Sequence, residues 1–99
     1  MSIIIELSNI WHCINFAVLD GSVSTTGFTV SEKKYHEFYN YRLDKDSKAF
    51  RKDIIHFINP AYFTLKCKSE YNGYRDYTYT VKVAYLDFWS QFVNGNQSS

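Results

Sequence analysis

Two alternating runs joined by Asn72-Gly73 constrain this chain more than any other stretch. Phe63, Leu65 and Cys67 alternate with Thr64, Lys66 and Lys68, and Tyr77, Tyr79, Val81 and Val83 alternate with Thr78, Thr80 and Lys82. A period of two marks strands that bury one face. Asn-Gly between such runs is a strong hairpin signal, because both positions of a type I′ turn need positive φ. A two-residue turn would set Leu65 opposite Thr80 and Phe63 opposite Lys82, which mixes the faces. A three-residue loop, Tyr71-Asn72-Gly73 with Gly73 as a left-handed bulge, corrects the register. Phe63 then faces Val81, Leu65 faces Tyr79 and Cys67 faces Tyr77. On the other side Lys68 meets Asp76 and Thr64 meets Thr80.

The first nineteen residues carry two conflicting signals. Ile3, Leu7, Ile10, Ile14 and Ala17 keep helical spacing, with Gly21 as a natural stop. Against that, the stretch is rich in isoleucine, and Asp20-Gly21 lies between Asn15–Leu19 and Ser22–Thr26 as a second hairpin signal. Strand is the favoured reading, pairing Val18 with Val23. Ser31 then reads as an N-cap, with Tyr35, Phe38, Tyr39 and Arg42 at helical spacing behind it. Asp46 or Ser47 can cap a second helix, whose stripe is Phe50, Ile54, Phe57 and Ile58. Asn59-Pro60 ends it, since the residue before proline is pushed out of the α region. Asp87 starts a short last helix that Asn94-Gly95 closes.

The expected architecture is α+β. An antiparallel sheet of four or five strands, with hairpins around Asp20-Gly21 and Asn72-Gly73, carries two central helices on one face and a short C-terminal helix. Residues 1–95 read as a single compact domain and 96–99 as a disordered polar tail.

Function has to be sought without a motif. Cys13 and Cys67 are fifty-four residues apart, and neither belongs to a Cys-x-x-Cys pair or a secreted disulfide framework; both read as reduced and buried. His12, His36 and His56 lack ligand spacing, so no metal is expected. The glycines are scattered, each at a turn, bulge or cap, and form no phosphate loop. No nucleophile has a legible base. The expectation is a protein that is no enzyme and holds no cofactor. The start of the chain has no basic n-region, and apolar runs such as Phe16–Leu19 fall far short of a membrane span. These features place the chain in the cytoplasm.

What composition adds is a surplus of rings. Nine tyrosines and eight phenylalanines, besides Trp11 and Trp89, make 19% of the 99 residues aromatic, more than so small a core needs. Surface tyrosines are what interfaces select. Tyr41, Tyr62, Tyr71 and Tyr74 fall on outward or loop positions, beside Lys66, Lys68, Arg75 and Lys82. These eight form the expected partner-binding set. A formal charge of +1 argues against both an acidic DNA mimic and a dedicated duplex binder. The partner is therefore expected to be another protein, such as a toxin, a nuclease or a defence complex, occluded stoichiometrically. Toxin-neutralising immunity proteins and phage inhibitors of bacterial defence share this size and composition, an analogy that carries no residues across. The alternative is a single-stranded nucleic-acid binder that stacks bases on the Lys/Tyr face of the second hairpin. Surplus tyrosine could also cement a homodimer.

Overall fold

The order of elements follows from which local signals win. The computed structural model describes the backbone of residues 2–39 and 43–97, and their side chains apart from 43–47, 96 and 97. Residues 3–14 form a helix, α1 (Ile3–Ile14), and not a strand. Ser2 caps it, its Oγ accepting from the Ile4 amide, and the helical spacing puts Leu7 and Ile14 fully inside. A 3-10 turn over Asn15–Ala17 then leaves only Val18 extended, bridged to Val30. Of the Asp20-Gly21 pair only Gly21 has positive φ, at 77°, so the I′ hairpin does not form. The turn is instead closed by the Ser22 amide donating to the Leu19 carbonyl.

The sheet accordingly has three strands where four or five were expected, and among the described residues four α-helices accompany it instead of two central helices and a short C-terminal one. Strand β1 (Gly27–Ser31) leads directly into α2 (Glu32–Tyr39), and α3 (Leu43–Phe57) follows. Ser31 caps α2 as its sequence promised, its Oγ accepting from the Lys34 amide at 3.4 Å. Helix α3 begins at Leu43, earlier than an Asp46 or Ser47 cap would place it. It ends at Phe57, ahead of Asn59-Pro60. Strands β2 (Phe63–Tyr71) and β3 (Tyr74–Val81) make the hairpin. A short 3-10 turn over Val83–Tyr85 precedes α4 (Leu86–Gln97), which runs through Asn94-Gly95. All pairings are antiparallel in the order β1-β3-β2, so β2 is a free edge.

Register decides which side chains share a face. Phe63 pairs with Val81, Thr64 with Thr80 and Leu65 with Tyr79, as expected. The extra residue that corrects the pattern is not at the tip, however. Asn72 and Gly73 have φ of 53° and 83°, which gives a two-residue turn pairing Tyr71 with Tyr74. The register shift lies in mid-strand between Leu65 and Cys67. Beyond it Cys67 faces Thr78, Lys68 faces Tyr77 and Ser69 faces Asp76, so the expected Cys67–Tyr77 and Lys68–Asp76 pairs are absent. A right-handed twist favours the primed turn at the tip, which pushes the bulge inward along the strand.

The inner face of the sheet, Phe28, Val30, Phe63, Tyr77, Tyr79 and Val81, is buried with Leu7, Ile14, Tyr35, Phe50, Ile54 and Trp89. Gly27 lies so close to the Tyr79 carbonyl that a Cβ there would collide with backbone. The core is largely aromatic: Trp89 meets Trp11, Phe28, Phe63 and Phe92 with ring centroids 5.4–6.2 Å apart. Phe38, Tyr39 and Phe88 are exposed, and Phe38 is 61% accessible while stacked on Phe16. Cys13 and Cys67 are free and exposed as well, contrary to the buried thiols expected.

Candidate functional site

Past Phe63 the hairpin leaves the helices behind. Every residue of β2 from Thr64 to Tyr71 is exposed, whereas β3 keeps Tyr77, Tyr79 and Val81 inside. The strands run about 25 Å from base to tip. The result is an arm, anchored at its base by the core and exposed towards its end. Tyr71 stands at the tip with 76% of its surface accessible.

Two clefts flank this arm. On the inner face, Arg51 from α3 joins Lys68 and Glu70 of β2 and Arg75 of β3 around a cleft of about 350 Å³ floored by Tyr77. The mid-strand bulge creates this grouping. By turning Lys68 onto the face of Tyr77 it also places Glu70 opposite Arg75. On the outer face, Tyr71 and Tyr74 border a second, smaller cleft of about 220 Å³ with Leu19, Ser31, Lys33 and Asp76. Tyr74 is half-buried, its ring centroid 6.4 Å from that of His36.

The arm is tied to α2 by a buried carboxyl group. Strand β1 ends at Ser31 opposite Asp76, so Arg75 is the next rung of β3 and has no β1 residue beside it. The Glu32 side chain, wholly buried at the first turn of α2, takes that place. Its Oε1 accepts from the Arg75 amide at 2.9 Å, and its Oε2 lies 3.3 Å from His36 Nε2. A buried carboxyl group needs such partners. Here they position the base of the Arg75 side chain.

The expected set is thus divided. Tyr71 and Tyr74 come together at the tip, and Lys68 and Arg75 share the inner cleft with Arg51. Lys66 sits at the bulge on the exposed edge. Tyr62 and Lys82 lie at the opposite end of the hairpin, joined by the Lys82 amide donating to the Tyr62 carbonyl at 2.8 Å. Tyr41 falls outside the described residues. Arg51 was missed: it follows Phe50 on the margin of the α3 apolar stripe, and nothing in its local pattern separates it from a solvated charge. The Lys/Tyr face needed for base stacking is not assembled, because Lys68 faces inward while Tyr71 and Tyr74 face outward.

A third cleft, of about 500 Å³, lies between α1 and the α3–β2 connection and is bordered by Glu6, Asn9, His56, Asn59 and Tyr62. The Tyr62 hydroxyl donates to Glu6 Oε2 at 2.8 Å, and this bond to a carboxylate holds the phenol above its ordinary pKa. Tyr79 is likewise raised, by burial. Both shifts favour the neutral phenols that the packing requires, and neither creates a base near neutral pH. Among the described residues no three His, Cys, Asp or Glu side chains gather as metal ligands, and no helix is long and apolar enough to cross a membrane. Comparison with protein families, with characterised proteins and with solved structures finds no match.

Proposed function

We propose that the chain is a small cytosolic protein-binding inhibitor whose hairpin arm covers or enters a site on another protein and occludes it stoichiometrically. The observation that carries this reading is the exposed tip. A tyrosine with 76% of its surface accessible at the end of a two-stranded arm contributes little to the packing of the lone chain. It offers a large contact at low conformational cost, since only two χ angles must be fixed. Tyr74 beside it and the clefts on either face supply the rim and the polar contacts that protein interfaces combine. A toxin, a nuclease or a defence complex is the proposed class of partner, and a stable complex should bury about 1,000 Å² or more.

Tyr71→Ala is expected to weaken that complex by about 1–2 kcal/mol or more, a loss of roughly five- to thirty-fold in affinity. Affinity capture of the tagged chain from its native host, in wild-type and Tyr71→Ala forms, tests the reading. Recovery of one protein in one-to-one ratio by the wild type, inhibited by it and depleted in the variant capture, supports it. Equal recovery by both forms removes the arm from the interface.

A further inference from the structure

We propose that the inner cleft of the arm is a receptor for carboxylate side chains, so that the partner presents an acidic polypeptide segment to Arg51, Lys68 and Arg75. This rests on the reading of the arm as an interface and specifies what that interface recognises. Three cations from three elements, α3, β2 and β3, border one cleft against the single carboxylate of Glu70. Among the described residues the ion pairs lie elsewhere, Lys34 with Asp20 and His36 with Glu32, and none of the three cations is paired. Three like charges with one counter-charge among them still repel one another, and an arriving anion relieves that repulsion.

The geometry favours carboxylate. Arg75 is held in place through its own amide, which donates to the buried Glu32, so its guanidinium projects from a fixed backbone. Two guanidinium groups provide the planar forks that bind carboxylates in a bidentate manner. Lys68 adds a third donor from the strand opposite.

A nucleic-acid strand fits less well, for two reasons. Single-strand binders interleave cations with open rings along one groove. Here the open ring of Tyr71 and the half-buried Tyr74 are on the outer face and the cations on the inner one, where Tyr77 is buried. Glu70 within the cleft also opposes a dense run of phosphates, and a net charge of +1 offers no long-range attraction to one.

The test needs no partner. Decaglutamate and a single-stranded oligonucleotide of equal length are titrated calorimetrically into the full chain at low salt. Three forms are compared: wild type, the triple variant Arg51→Gln/Lys68→Gln/Arg75→Gln, and the control Lys66→Gln/Lys82→Gln, which removes cations outside the cleft. The expected result is that decaglutamate binds the wild type more tightly than the oligonucleotide does. The triple variant should lose at least about tenfold, and the control should stay within about twofold. Lys68→Glu, at an exposed strand position, gives the same reading should the triple variant unfold. Absence of decaglutamate binding, equal loss in triple variant and control, or tighter binding of the oligonucleotide would each overturn the proposal. Failure here leaves the arm as an interface intact. Conversely, a partner lost by Tyr71→Ala but kept by the triple variant would sink the carboxylate receptor alone.

Discussion

Trp89→Ala is expected to lower the unfolding free energy by about 3–5 kcal/mol, through the loss of a buried aromatic ring. Trp89 is wholly buried on α4, and its ring touches Trp11 of α1, Phe28 of β1, Phe63 of β2 and Phe92. Its Nε1 donates to the Ser24 carbonyl at 2.8 Å, which ties α4 to the loop before β1. Truncation therefore opens a cavity lined by four elements and leaves the loop carbonyl without its partner. A domain of this size has roughly 5–15 kcal/mol in total, so about a fifth or more would be lost. Trp89→Phe keeps most of the ring contact and loses the hydrogen bond, for a smaller cost of about 1–2 kcal/mol. Urea unfolding followed by circular dichroism measures both. A Trp89→Ala loss below about 1 kcal/mol would show that α4 does not close the core.

The second large effect concerns a charged side chain that is wholly buried. Glu32→Ala is expected to cost about 3–5 kcal/mol, because it leaves the Arg75 amide and His36 facing a buried void. Glu32→Gln keeps a side-chain carbonyl for the Arg75 amide and should cost distinctly less. The effect has a local signature as well. Loss of the last rung beside β1 frees the arm, so the Arg75 amide should exchange with solvent much faster than amides deeper in β3. An unchanged Arg75 exchange rate in Glu32→Ala would remove Glu32 as the anchor of the arm, whatever the change in global stability.

How much of this was legible in the sequence depends on whether the signal is local. The Ser31 cap, the Asn59-Pro60 boundary and the alternation over residues 77–81 depend on neighbours in the chain, and they survive intact. The amino-terminal helix reads as strand from its residues alone because an isoleucine-rich composition and an Asp-Gly pair point one way and the spacing of Leu7 and Ile14 the other. Burial of both residues in the core decides that contest, and burial is not a local property. The missing strand has the same origin, since the 3-10 turn over Asn15–Ala17 that follows α1 takes residues that would have paired around Asp20-Gly21.

The hairpin register is a subtler case. The pattern requires one surplus residue in β2 between Leu65 and Gly73, but pattern alone does not say where it sits. Turn geometry places it near Lys66. That shift moves Lys68 to the inner face, where it meets Arg75 and, across a contact with α3, Arg51. Lys68 and Arg75 were legible as candidates; their grouping was not, because it depends on a bulge and on a long-range contact. Tyr71 was legible for the opposite reason: a tip residue next to Asn-Gly has nothing in its own chain to cover it.

The central claim is that the distal hairpin contacts another protein. Amide hydrogen exchange of the free chain and of the chain bound to its captured partner tests that most directly. Protection gained across Lys68–Asp76, with amides of α1 and α4 unchanged, is the predicted result. Protection confined to the helices, with the hairpin tip exchanging as fast as in the free chain, would contradict it.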